Sequence, residues 1–262
     1  MKIGYVQSSP IFGKKAQNFE QIENLLGKSK ADLIVLPELF ATGYTFISKK
    51  EVESLAETTK GETAEFLMKI AEITGAVIVG GFVEEDSNQI YNSSLIVSSS
   101  EVFGTYRKLH LYYKEKLWFS PGNKHLKTYK VKEAKVGIMI CFDWIFPETA
   151  RSLALLGADI IAHPANLIMA FCQKAMTIRC LENSVYAITA NRIGDEKRGD
   201  DNFHFTGRSQ ITSSDGDVLS SGPEDKPYVD FVEIDVNQAR DKNLNKRNNI
   251  FEDRRTEFYS LE

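Results

Sequence analysis

The run Val136-Gly137-Ile138-Met139-Ile140 constrains this chain most. Five non-polar residues stop at Cys141, and Phe142-Asp143-Trp144-Ile145-Phe146-Pro147 then lead into a helix-like stretch over residues 148–157. A short apolar run bounded by turn chemistry predicts a buried strand, and a helix directly after it predicts a strand–turn–helix unit. The thiol then lies where the strand stops and the backbone turns. In open α/β sheets, ligands meet the protein beyond the carboxyl ends of strands. On this stretch alone Cys141 reads either as a nucleophile or as a small packed hydrophobe, the ordinary state of a buried cysteine.

The same alternation recurs along the chain. Residues 3–7 and 32–36 predict strands, the second stopped by Pro37 with Glu38 just beyond it. Residues 18–28 place Ile22, Leu25 and Leu26 on one helical face, and residues 61–74 do the same with Phe66, Leu67, Ile70 and Ile73. Residues 76–82 predict a strand, and residues 90–98 and 102–107 an antiparallel pair joined by a Ser-rich turn. A long aromatic loop over 111–123 follows. Residues 159–162 predict a strand ending at His163-Pro164-Ala165-Asn166. Residues 173–183 then read as helix, and 185–190, 205–212 and 228–234 as strands. Strands alternating with helices in both halves predict an α/β fold, and the adjacent hairpins mean that its sheets are not purely parallel.

No linker-like or low-complexity segment interrupts the body, which predicts one domain over residues 1–262 with a body of 1–238. The tail from Ala239 on is strongly polar over 240–249, yet leads to Ile250-Phe251 and Phe258-Tyr259. A polar tail with aromatics at its end needs a surface to dock on, either its own body or a neighbouring subunit. At 42% hydrophobic and 26% charged residues the composition is that of a soluble globular protein. A net charge of −4 leaves no electrostatic footprint for nucleic acid. The start has no long apolar segment of signal-peptide type, and no run reaches membrane-spanning length. Cys141, Cys172 and Cys180 are odd in number and lack paired metal-ligand spacing. Free thiols imply a reducing compartment, so a cytoplasmic protein is expected.

Three strands end alike, at Leu36-Pro37-Glu38, Ile140-Cys141 and Ala162-His163-Pro164. If these strands share a sheet edge, their ionisable groups converge on one mouth, and Lys108 at the end of the hairpin joins them. Such a mouth holds acid, base and nucleophile. A thiol with an ordinary pKa near ~8.5 is only slightly ionised at neutral pH and needs a base or cation beside it. Glu38 could take its proton and later hand it to a leaving amine. Lys108 and the Phe142 backbone N–H could hold a developing oxyanion, a role worth about 3–4 kcal/mol per donor.

These residues carry a resemblance. Leu36-Pro37-Glu38-Leu39-Phe40, Tyr106-Arg107-Lys108-Leu109-His110-Leu111 and Cys141-Phe142-Asp143 with Phe146-Pro147-Glu148 resemble the three signature blocks of the nitrilase, or carbon–nitrogen hydrolase, superfamily. Supporting blocks are Phe119-Ser120-Pro121-Gly122, Arg179-Cys180-Leu181-Glu182-Asn183, Asn191-Arg192-Ile193-Gly194 and Gly207-Arg208-Ser209. The similarity runs in order over nearly the whole chain and is strongest to short archaeal-type members that act on small aliphatic nitriles and amides. The resemblance implies a Glu–Lys–Cys triad at Glu38, Lys108 and Cys141, with a second acid at Glu115 that orients substrate. It implies a four-layer α-β-β-α sandwich and dimers formed through the helix after the nucleophile and through crossing C-terminal tails. No cofactor or metal is expected.

The implied reaction is a thiol-dependent amidase releasing ammonia from small aliphatic amides. Aliphatic nitrilase and N-carbamoyl hydrolysis are the alternatives within the family, and a catalytically silent binding homologue is the alternative outside it. Phe40, Tyr44, Trp118 and Trp144 are candidate pocket walls, and Asn166 a candidate pocket contact. Asp143 reads as a residue that pins the turn, Arg179 with Glu182 as a helical ion pair, and the histidines as ordinary hydrogen-bonding groups.

Overall fold

A computed structural model describes residues 1–259. The chain opens with β1 (Lys2–Gln7), α1 (Lys15–Leu26), β2 (Leu33–Val35), α2 (Lys49–Leu55) and α3 (Glu62–Thr74). A meander of β3 (Val77–Asp86), β4 (Gln89–Val97) and β5 (Val102–Arg107) leads to α4 (Glu115–Trp118), β6 (Thr128–Val131) and β7 (Ala134–Ile138). A 3-10 turn over Cys141–Ile145 introduces α5 (Pro147–Leu155), then β8 (Ile160–Pro164), α6 (Cys172–Asn183) and β9 (Tyr186–Ala190). The hairpin of β10 (Ile193–Arg198) and β11 (Asp201–Thr206) precedes β12 (Gln210–Thr212), β13 (Val218–Ser221), β14 (Tyr228–Glu233) and α7 (Val236–Arg240).

Two six-stranded sheets result, ordered β14-β1-β2-β3-β4-β5 and β13-β12-β9-β8-β7-β6. Each has a parallel centre, β1–β2–β3 in one and β7–β8–β9 in the other, with antiparallel flanks. Strand periodicity explains the layering. Leu33 and Val35 of β2 point into the core between the sheets, against Val136, Ile138 and Ile160, while Ile34 points outward under Leu67 and Ile70 of α3. A strand apolar on both faces has to be covered on both, so α1 and α3 roof the first sheet and α5 and α6 the second. The expected four-layer α-β-β-α sandwich is thus present.

Several details depart from the sequence expectation. The stretch 205–212 is two strands, because Gly207 and Arg208 both take left-handed φ angles of 56° and 51° that no strand accommodates. Ile73 faces outward at 39% exposure, leaving Ala71 and Thr74 to complete the buried face of α3. The aromatic loop after residue 111 contains the short helix α4. The strand ends at Glu38, Cys141 and His163 do not share one sheet edge. β2 belongs to the first sheet and β7 and β8 to the second, and the groups meet because the stacked sheets present their carboxyl ends at the same end of the sandwich. The tail divides. Phe251 packs on the chain's own core, its ring 5.3 Å from the Arg151 guanidinium and 5.1 Å from the Lys242 ammonium. Phe258 and Tyr259 are exposed, and residues 260–262 lie outside the described residues.

Candidate active site

Lys108 follows β5, and its backbone N–H donates to Asn92 O on β4, so the sheet ladder fixes where its side chain starts. The side chain is fully buried. Its Nζ donates to Glu38 Oε1 at 2.7 Å and to Glu115 Oε1 at 2.7 Å. An ammonium has three donors, so one is left over. Burial works against the charged lysine, but the carboxylates of Glu115 and Glu38 outweigh it and hold its pKa above the ordinary range.

Glu38 is held from one side only. Asn92 Nδ2 donates to the same Oε1 at 2.7 Å, whereas Oε2 is buried and has no hydrogen-bond partner among the described residues. Two donors tether one oxygen and leave the other free to take a proton. Glu115, at the start of α4, accepts from the Tyr44 hydroxyl at 2.7 Å and from the Tyr112 N–H at 3.2 Å. Burial raises the Glu115 carboxyl above its usual range; Lys108 pulls it back and Glu38 adds to the rise.

Cys141 sits at the strand end with φ of 41°, a left-handed conformation that costs a side-chain-bearing residue about 1–3 kcal/mol. The surroundings over-determine it. Burial holds the His163 pKa down at about 4, so its imidazole is neutral. Its Nε2–H donates to Cys141 O at 3.0 Å, and Nδ1 accepts from the Thr189 hydroxyl at 3.1 Å. Asp143 pins the turn as expected. Its Oδ2 accepts from Ile140 N at 2.9 Å and Tyr106 OH at 2.7 Å, and its Oδ1 from His110 N at 3.1 Å. Burial pushes the Cys141 thiol well above its ordinary range, Glu38 adds to this, and Lys108 and the Asn166 backbone N–H offset part of it. The resting group is therefore a neutral thiol that needs a base. Phe142 is in the first turn of the 3-10 helix, where N–H groups lack an intrahelical acceptor.

A small cleft opens onto Cys141, walled by Tyr112, Phe142, Trp144, Asn166, Leu167, Ile168 and Met169. Among the described residues no charged side chain lines it. Trp144 and Asn166, two of the expected pocket residues, line this cleft. Tyr44 touches Glu115 and, with Trp118 and that acid, lines a separate small cleft. Phe40 is not in either cleft. Leu39 takes a φ of 48°, and the Phe40 ring turns into the layer under α1 and α3, 6.1 Å from the rings of Phe19 and Phe66. The aromatic wall assigned to it is a helix-packing contact. Arg179 pairs with Glu182 at 3.1 Å, one turn apart on α6. Among the described residues no cluster of three or more His, Cys, Asp or Glu could hold a metal, and no helix is long and apolar enough to cross a membrane.

Residues 2–243 match the carbon–nitrogen hydrolase family. The chain belongs to that family. This carbon–nitrogen hydrolase is 46% identical over 263 residues to a nitrilase of Pyrococcus abyssi, covering 99% of both chains. It is 32% identical to an (R)-stereoselective amidase of a Pseudomonas species, over 92% of this chain and 87% of that one. Its fold is that of a carbon–nitrogen hydrolase from Helicobacter pylori, with a TM-score of 0.88, 23% identity and 99% and 97% coverage. It is therefore a nitrilase/amidase-type enzyme acting on small molecules.

Sequence reasoning on this hydrolase missed two supports of the cluster. Asn92 opens a buried polar run with Ser93 and Ser94 in the middle of β4, a readable signal. Glu196 on β10 gave none. It accepts from the Tyr44 and Thr45 N–H groups at 3.1 and 2.5 Å and from Arg192 at 3.0 Å, fixing the loop that delivers Tyr44 to Glu115.

Proposed function

We propose that this enzyme hydrolyses small, uncharged aliphatic amides through a Cys141 thioester, with Glu38, Lys108 and Cys141 as triad and Glu115 as the acid that holds Lys108. The observation that supports this is the buried Lys108 ammonium at 2.7 Å from both carboxylates, in one cluster with a strained thiol. Glu38 Oε2 takes the thiol proton as Sγ attacks the carbonyl carbon. The oxygen gains the electron pair and is held by the spare Lys108 N–H and the Phe142 N–H. Collapse of the adduct expels the amine, which leaves as ammonia with the proton from Glu38. Water then loses a proton to Glu38 and attacks the thioester, and the departing thiolate recovers that proton as the acid forms.

A nitrile reading is favoured by the 46% identity to a nitrilase. Sγ adds to the nitrile carbon, the nitrogen takes the proton, and water addition with loss of ammonia gives the same thioester. The uncharged cleft wall offers nothing to a charged carbamoyl compound. The test is ammonia release from short amides and from nitriles of the same carbon skeleton. Cys141→Ala is expected to lose activity by about 10⁴-fold or more on either class. Survival of activity overturns the covalent route, and folded wild type silent on the whole panel supports a non-catalytic homologue.

The whole chain acts as one domain, and its free, buried cysteines suit a reducing, cytoplasmic setting. A second copy covers the exposed face that carries Leu156, Phe171, Ile178 and Leu181, next to the exposed tail aromatics. Light scattering on the full chain is expected to give a dimer or larger, and a monomer overturns this assembly.

A further inference from the structure

Asn166 lies just past β8, is only 3% exposed, and lines the cleft that opens onto Cys141. Both its polar side-chain atoms, Oδ1 and Nδ2, are buried with no hydrogen-bond partner among the described residues. Native folds rarely tolerate this, because an unpaired buried polar atom destabilises the fold. A second buried asparagine 25 positions on shows the ordinary arrangement. Asn191 Oδ1 accepts from Leu167 N at 2.8 Å, and its Nδ2 donates to Gly207 O at 2.6 Å. Asn191 is structural. Asn166 lines the cleft with a carboxamide that no group among the described residues satisfies.

The chemistry of that visitor follows from the carboxamide itself. In either orientation it presents one donor and one acceptor side by side. A second primary carboxamide matches it with two antiparallel hydrogen bonds. A carboxylate satisfies Nδ2 but faces the lone pairs of Oδ1, and no cation lines the cleft to compensate. An alkyl end leaves both atoms unpaired. We infer that Asn166 is a specificity-determining residue that binds a second, uncleaved primary carboxamide, so that short aliphatic diamides are the preferred substrates. This rests on the proposed thiol amidase, since Cys141 must attack the other carboxamide of the same molecule.

The experiment compares succinamide with 4-methylpentanamide, in which an isopropyl group replaces one carboxamide at nearly the same shape, and with succinamate. Wild type is expected to favour succinamide by about tenfold or more in kcat/KM over either, beyond the twofold statistical advantage of two equal ends. Asn166→Leu is expected to lose more on succinamide than on 4-methylpentanamide by at least about tenfold, mainly through KM, and to melt higher than wild type because two unpaired atoms are gone. A wild type without that preference, a ratio unchanged by the substitution, or a lower melting temperature in Asn166→Leu overturns the inference. Calorimetric binding of both ligands to Cys141→Ala separates the two readings. If wild type cleaves no amide yet Cys141→Ala binds succinamide tenfold more tightly than 4-methylpentanamide, the thiol amidase fails and the recognition by Asn166 stands. Equal binding sinks Asn166 alone.

Discussion

At the shared end of the sandwich, the first sheet brings Glu38, Asn92 and Lys108, while the second brings Cys141, His163 and Asn166. The first set is charged and closely bonded, with contacts of 2.7 Å from Lys108 and from Asn92 to a single glutamate oxygen. The second set is neutral, as burial raises the thiol and depresses the imidazole, and the asparagine has no partner among the described residues. A proton-handling group gains from fixed opposite charges, whereas a nucleophile and a substrate contact gain from being dry and unspent. Lys108 is where this difference is most vulnerable. Lys108→Met removes the proposed oxyanion donor and leaves Glu38 and Glu115 without their cation. We expect kcat/KM to fall by about 10³-fold or more, and stability by about 3–5 kcal/mol. Burial already raises the Glu115 carboxyl and Lys108 is what pulls it back, so without the lysine its folded pKa rises further and the variant is more stable at pH 5 than at pH 8. Urea unfolding at both pH values checks the sign, and activity within tenfold of wild type breaks the charged half of the comparison.

The neutral half has its own pH signature. His163 is held at about 4 in the folded protein against 6.5 when exposed. A depressed pKa contributes stability that is fully present above 6.5 and is lost as pH falls through 4, worth about 3 kcal/mol in all. His163→Gln retains a donor for the Cys141 carbonyl but does not titrate, so it should flatten the acid limb of the stability curve. Wild-type stability that is level between pH 6.5 and 4 shows that the imidazole is not buried and neutral.

The two halves were not equally legible in the sequence. Glu38 and Cys141 each end an apolar run and Lys108 ends the predicted hairpin, and a strand end is marked by the residue types themselves. That two different sheets bring them together was not legible, because β2 and β7 look alike one at a time and only pairing over long separations assigns them. Phe40 and Trp144 show the same limit at the level of one side chain. Both are aromatics close behind a proposed catalytic residue, yet the left-handed turn at Leu39 sends Phe40 into the helix layer while the 3-10 turn keeps Trp144 at the cleft. Backbone sense at a single residue decides the wall, and periodicity does not encode it. Glu196 left no trace as a support of the site either, since the Tyr44 and Thr45 N–H groups it holds lie some 150 positions away and only its Arg192 partner is local.

Tyr44 is the smallest test, because it acts on the charged half at one remove. Its hydroxyl donates to Glu115 Oε1 at 2.7 Å, an oxygen that also holds Lys108. Removing that donor with Tyr44→Phe leaves the Lys108 and Tyr112 contacts in place, so Glu115 loses one of three partners and no charge. The hydroxyl favours the ionised carboxyl, so its loss raises further a pKa that burial has already lifted. If ionised Glu115 is what steadies Lys108, kcat falls by only about 3–10-fold, in keeping with one neutral hydrogen bond. The acid limb of the kcat/KM profile moves to higher pH, while KM changes little. A pH–rate profile measured beside that of wild type checks this. An acid limb that stays in place means that Glu115 does not govern the lysine. A loss as deep as that of Lys108→Met instead makes Tyr44 a member of the charged set, and the boundary between the two halves would then run through the second cleft.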